Sequence, residues 1–65
     1  MVTDVYADIK MEIRARLGHG HGVGAILAWL AIRYWDEGRV EYKRVMGEVA
    51  RADDPRAWLW TFCEE

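Results

Sequence analysis

The two histidines of the chain lie in a glycine-rich stretch, residues 18–24, that reads GHGHGVG. His19 and His21 stand two positions apart, a spacing that can direct two imidazoles at one metal ion from a strand or an open loop. A structural zinc site usually takes four protein ligands and a catalytic site three. No second cluster of ligand residues follows at a matching spacing. We therefore predict no metal and interpret the stretch as a loop with solvated histidines, with His19 and His21 kept as weak metal-ligand candidates.

The same stretch contains a relaxed dinucleotide-binding pattern, G-x-G-x-x-A, from Gly20 to Ala25. This motif works where a strand leads into a helix whose first N–H groups face a pyrophosphate. Here a helical pattern precedes the glycines and too little chain remains for a doubly wound sheet. The alternative that stays open is a small-ligand- or metal-binding protein that uses this loop.

Residues for covalent or acid–base catalysis are scarce. The chain contains no serine, and its lone Cys63 has no predictable histidine neighbour. Adjacent carboxylates occur as Asp53-Asp54 and Glu64-Glu65, which are better explained by helix capping and by a solvated segment. We predict that the protein is not an enzyme and uses no cofactor.

Nucleic-acid binding has weak support in the charge pattern. Nine basic residues are outnumbered by eleven acidic ones, so no basic excess is available to contact phosphates. A helix-turn-helix with Gly38 in its turn would place Glu41 and Glu48 among its bases. We expect nucleic acid to be an unlikely partner, and we keep as an alternative a nucleic-acid-associated regulator that uses a basic ridge formed by Lys43, Arg44, Arg51 and Arg56.

Helical periodicity predicts the elements that position these residues. At 65 residues the chain is one domain, residues 1–65, and it hides only about 60% of the surface that its unfolded form exposes. We predict an all-α fold, a small bundle of three long helices and a short C-terminal fourth helix. The expected ranges are about Asp4 to Leu17, Val23 to Asp36, Val40 to Ala52, and a last helix from Pro55 onwards.

Cap residues support these boundaries. Thr3 is a plausible N-cap of the first helix, and Gly18 stands where a left-handed residue would end it. Asp54 followed by Pro55 is the clearest signal, because the carboxylate can accept from free N–H groups while proline suits the first helical turn. Gly47 within the third helix costs about 1 kcal/mol relative to alanine, either as tolerated strain or to let a neighbouring helix approach closely.

The second predicted helix is apolar on both sides. One stripe contains Ile26, Leu27, Leu30 and Tyr34, and the opposite stripe contains Ala28, Trp29, Ile32 and Trp35. Such a helix is expected to be buried on both sides. It would be the central helix of the bundle, or it would lend one face to a second chain.

The apolar content exceeds what so small a domain can readily enclose. The composition is 52% apolar and includes four tryptophans. In the fourth helix, Trp60 points away from the face formed by Trp58, Leu59 and Phe62, so it has no core to enter. Large aromatic side chains are typical centres of protein interfaces. We therefore expect a homodimer, or binding to another protein, through Trp29, Ile32, Trp35 and Trp60.

These features favour a small non-enzymatic protein–protein interaction module. Short tryptophan-rich chains are often adaptors or inhibitors of phage or mobile-element origin, so we expect a role of that kind, as in a viral protein. A single cysteine fits a cytoplasmic location, where thiols stay reduced. The apolar run Val23 to Ile32 has 10 residues, against the roughly 20 needed to span a bilayer, so no membrane span is expected.

Overall fold

A computed structural model describes residues 4–65, and this part of the chain is all-helical, with no strand. Its helices are α1 (Val5–Gly18), α2 (Val23–Arg33), α3 (Arg39–Arg51) and α4 (Pro55–Glu64). They contain 14, 11, 13 and 10 residues. Because α2 is nearly as short as α4, the predicted distinction between three long helices and a short fourth is not confirmed.

Aspartate side chains cap the first and the last helix. Asp54 accepts a hydrogen bond from the Ala57 N–H at 3.2 Å, and Pro55 is the first residue of α4, which confirms the predicted start. Asp4 accepts from the Ala7 N–H at 3.3 Å and is the N-cap of α1. The predicted N-cap Thr3 lies outside the described residues.

Two predicted helix ends are wrong. α1 continues through Gly18, and the left-handed residue is Gly20, with a φ of 81°. The alternating glycines left several positions free to take this conformation. α2 ends at Arg33 rather than Asp36, and Tyr34 is its C-cap. The α3 bounds are each one residue earlier than the expected Val40 to Ala52.

The core is a single cluster to which every helix contributes. Its buried side chains are all apolar or aromatic: Ile9, Ile13, Leu17, Ile26, Leu30, Tyr34, Tyr42, Val45, Val49, Leu59 and Phe62. α1 packs against all three other helices and most extensively against α4, so the expectation that α2 is the central helix is wrong. The predicted inner stripe of α2 is confirmed at Ile26, Leu30 and Tyr34, which are all buried.

Gly38 fixes the turn between α2 and α3 against the start of α1. Its φ is 85°, a left-handed conformation that side chains resist. A Cβ atom at this position would lie 2.7 Å from Val5 Cγ1 and 2.8 Å from Tyr34 Cδ1. The turn therefore depends on glycine both for its backbone conformation and for its close packing.

Gly47 has no comparable role. The nearest atoms that an added Cβ would meet are the Arg51 guanidinium nitrogens, at 3.7 and 3.8 Å, which is ordinary contact. The alternative that Gly47 admits a neighbouring helix is therefore wrong. What remains is the entropic cost of glycine within a helix.

These two glycines predict opposite effects of the same substitution. Gly38→Ala should lower the free energy of unfolding by about 2 kcal/mol or more, because left-handed strain adds to the clash with Val5 and Tyr34. Gly47→Ala should raise it by about 1 kcal/mol, the helix-propensity gain. Chemical denaturation followed by circular dichroism measures both. Equal effects of the two substitutions would contradict this account of the α2–α3 turn.

No helix among residues 4–65 combines the length and the apolar character required to cross a membrane. The most apolar helix, α2, has 11 residues. At 1.5 Å per residue it reaches only about half the thickness of a hydrocarbon core.

Candidate protein-interaction face

The side of α2 that faces away from the core is apolar and open to solvent. No polar side chain occurs from Val23 to Ile32. We call the exposed residues of this side and of the turn that follows it the outer face, which consists of Gly24, Ala25, Ala28, Ile32 and Trp35. Ile32 is 81% exposed and Trp35 is 59% exposed. Within the chain itself α2 is therefore buried on its inner stripe only. On the opposite stripe Trp29 is half-buried, and Ala28, Ile32 and Trp35 are exposed, so the alternative that this face is lent to a second chain stays a prediction.

Ile32 and Trp35 form the prominent end of the outer face. Together with Ala31 they line a shallow apolar hollow. The guanidinium carbon of Arg39 lies 4.6 Å from the centroid of the Trp35 ring, a cation–π arrangement. An indole beside an arginine at the edge of an apolar patch is a combination enriched among the energetically important residues of protein interfaces.

Trp29 is covered by a side chain of α1. The guanidinium carbon of Arg16 lies 3.3 Å from the centroid of the Trp29 ring. Glu12, which lies one helical turn before Arg16, forms an ion pair with the same guanidinium and holds it in place. Trp29 is half-buried and packs against the core. Its predicted role as a partner-binding residue stays a prediction, and its visible role is to join α1 to α2.

Trp60 also belongs to the periphery of the core. It is half-buried and packs against the buried cluster, so the prediction that it has no core to enter is wrong. Its neighbours on α4, Trp58 and Phe62, stack with their ring centroids 5.2 Å apart and their planes at 10°. Among the four predicted contact residues, Ile32 and Trp35 are therefore the two that are exposed.

Other exposed apolar side chains are isolated. Met11 is 70% exposed and Val40 is 78% exposed, but charged residues stand three or four positions from each of them, on the same side of the helix. Met46 accepts a hydrogen bond from the Tyr42 hydroxyl at 3.3 Å. Single exposed apolar residues of this kind are common on protein surfaces.

The glycine–histidine loop joins α1 to α2 and leaves both imidazoles exposed. His19 Nδ1 lies 2.7 Å from the Ala15 carbonyl oxygen, so this nitrogen is engaged with the end of α1. The two ring centroids are 6.4 Å apart. Within residues 4–65 no group of three or more histidine, cysteine, aspartate or glutamate side chains is arranged to hold a metal ion.

Arg56 organises this loop from α4. Its Nη1 donates to the His21 carbonyl oxygen at 2.8 Å, and its Nη2 donates to the Leu17 carbonyl oxygen at 3.3 Å. A cation at the second residue of a helix is opposed by the helix dipole. The carboxyl end of α1 instead offers Arg56 the favourable dipole and the Leu17 carbonyl, and the loop offers the His21 carbonyl. The guanidinium thus ties α4 to the segment that leads into α2.

The predicted basic ridge is divided among other contacts. Arg44 donates to the Tyr6 hydroxyl at 3.4 Å, and this hydrogen bond raises the pKa of Arg44. Arg51 pairs with Glu48 at 3.1 Å. Lys43 is exposed, and Arg56 faces the loop. These four residues therefore do not present one common surface of free positive charge.

The lone thiol is poorly suited to nucleophilic chemistry. Cys63 is half-buried, and burial raises its pKa above the ordinary value. The protonated thiol is the weaker nucleophile. This environment is the one expected of a cysteine with a packing role.

A wider cleft lies between α1, α3 and α4 and carries charges of both signs. Asp4, Glu48 and Glu65 line it together with Lys10 and Arg44. Lys10 Nζ lies 5.2 Å from the centroid of the Phe62 ring, and Arg44 contacts Tyr6. The cations of this cleft are thus engaged with the protein's own aromatic side chains.

Sequence reasoning missed two parts of this arrangement. The small residues Gly24 and Ala25 belong to the outer face. Helical spacing could have found them, because Ala28 lies four residues before Ile32, and Gly24 and Ala25 lie four and three residues before Ala28. The contact of Arg56 with the loop has no signal in the sequence, because it joins positions 35 residues apart or more.

The Arg56 contact predicts a measurable loss of stability. Arg56→Ala should lower the free energy of unfolding by about 1 kcal/mol, since two hydrogen bonds from a charged donor are lost. Arg56→Lys should restore only part of it, because an ammonium group lacks the fork that reaches both carbonyls. Urea denaturation gives these values.

Arg51→Ala is the matched control, since it removes the same charge from an exposed ion pair. Its effect should stay within about 0.5 kcal/mol. If Arg56→Ala destabilises the fold no more than Arg51→Ala does, the proposed tie between α4 and the loop is incorrect.

Comparison with known proteins does not identify a function for the chain. No protein-family model, curated protein or solved structure matches the chain.

Proposed function

We propose that this protein is a small non-enzymatic protein–protein interaction module, an adaptor or inhibitor, that binds its partner through the outer face of α2. The observation that carries the proposal is the exposure of Ile32 and Trp35 on a helix side without any polar residue. Water contact with such a side is unfavourable, and covering it gains about 25 cal/mol for each Å² of apolar surface. A partner of complementary shape would supply that cover.

The composition of the outer face supports a protein as the partner. An interface centre is typically depleted of charged residues and enriched in aromatic side chains and arginine. Ile32, Trp35 and the adjacent Arg39 fit this description. The absence of charge among the five outer-face residues would disfavour nucleic acid, whose binding depends on phosphate contacts.

A catalytic role has less support from the cysteine and the histidines of the chain. Burial raises the pKa of the Cys63 thiol, which disfavours the nucleophilic thiolate form. The two histidines are exposed on a loop, with His19 held at Ala15. These features favour binding over chemistry.

A charge placed on the outer face tests the proposal. Sedimentation of the labelled chain, pure and in a concentrated cell lysate, should give a mass above the 7.6 kDa of one copy in at least one condition. Ile32→Lys should abolish this increase, because it places a charge in the centre of the contact. A lysine near the end of α2 does not oppose the helix dipole, so the fold should persist.

Met11→Lys is the matched control, since Met11 is a similarly exposed apolar residue on α1. It should leave the sedimenting mass unchanged. Circular dichroism confirms that both variants remain helical. A wild-type chain that sediments as one copy in both conditions would refute the proposed function, and so would a complex that Ile32→Lys leaves intact.

A further inference from the structure

The outer face is graded in size along α2. Its first half contains Gly24, Ala25 and Ala28, and the large side chains Ile32 and Trp35 follow. Ala28 stands midway, with Gly24 four residues before it and Ile32 four residues after it. At 1.5 Å per residue, Gly24 and Ile32 lie about 6 Å from Ala28 along the helix in opposite directions.

We propose, on the basis of the function proposed above, that the occupant of the outer face is a second copy of this chain and that the two α2 helices pack antiparallel. A two-fold axis then passes beside Ala28. Each Ile32 faces the partner's Gly24, and each Ala31 faces the partner's Ala25. At both ends of the contact, the large Ile32 of one copy thus packs on the small half of the other.

A parallel pair would not achieve this fit. It would set Ile32 against Ile32 at one end and glycine against glycine at the other, so the helix axes would diverge and leave a gap. Gaps forfeit the dispersion contacts that close packing supplies. Small residues let two helices approach closely, and here they lie where the antiparallel partner brings its bulk.

Electrostatics also favours the antiparallel pair. The five outer-face residues are uncharged and Arg39 lies over Trp35 at the edge of the face, so no like charges meet at the centre of the contact. Antiparallel packing places the positive amino end of each α2 near the negative carboxyl end of its partner. The exposed apolar side chains Met11 and Val40 do not lie on an uncharged face, since charged residues stand three or four positions from each of them.

The available area corresponds to a weak dimer. The surface of the chain is 4542 Å², and a specific interface uses about a tenth of a small protein's surface on each partner. The five outer-face residues expose on the order of 400 Å², most of it from Ile32 and Trp35 at the exposed fractions given above. Two copies would bury on the order of 800 Å², which is below the roughly 1,200 Å² of a stable specific interface and falls among weak, transient contacts. We expect association at micromolar concentration or above.

Single-cysteine crosslinking tests the geometry. With the native thiol removed by Cys63→Ser, the variant Ala28→Cys should form a disulfide-linked dimer with itself under mild oxidation. Gly24→Cys and Ile32→Cys should crosslink when mixed, and Ile32→Cys alone should not, because its two copies lie about 12 Å apart along the axes. Gly24 has open space for the new side chain.

Met11→Cys in the same background is the control and should stay uncrosslinked. Each reduced variant is also sedimented and checked by circular dichroism, so that loss of the dimer is separated from wrong geometry. Self-crosslinking of Ile32→Cys, without a mixed product, would establish a parallel pair and overturn this inference while the proposed function stands. A pure wild-type chain that stays monomeric would overturn the second copy as occupant, and the lysate measurement then decides the proposed function separately.

Discussion

The structure depends on one constraint, which is that four short helices can cover only one side of α2. Ile26, Leu30 and Tyr34 on its inner stripe are buried in the common core. Every other helix is already committed to that core, so none remains for the opposite side. A chain of this size encloses only about 60% of the surface that its unfolded form exposes, less than a larger domain does. The exposure of Ile32 and Trp35 follows from this shortage of covering elements.

Specific contacts around the core hold α2 in the orientation that keeps its outer face free. Arg56 ties α4 to the loop before α2 through two carbonyl groups. Gly38 lets the turn after α2 pack against Val5 and Tyr34. Arg16 lies over Trp29 and fixes the flank of α2 against α1. Both ends and one side of the helix are thus positioned by specific contacts, so the outer face is a defined surface.

The sequence predicted those features that depend on local periodicity and capping. Helical spacing located the helices, and the pair Asp54-Pro55 located the start of α4, because these signals act within a few residues. The end of α1 was misplaced, since Gly18, Gly20 and Gly22 were equally able to take the left-handed position. The exposure of the second α2 stripe could not be predicted, because the hydrophobic pattern alone does not determine which apolar side of a helix the other helices pack against. Trp60 was misjudged for the same reason.

The central claim is that the outer face becomes covered by a partner, and Trp35 is its natural reporter. Fluorine NMR of the chain labelled with fluorotryptophan gives a signal for each of its four indoles. As the concentration rises from micromolar to millimolar, the account predicts a progressive shift of the Trp35 signal, with smaller changes at Trp29, Trp58 and Trp60. A Trp35 signal that does not move over this range, or that moves no more than the signals of the core indoles, would contradict the coverage of this face by a second copy.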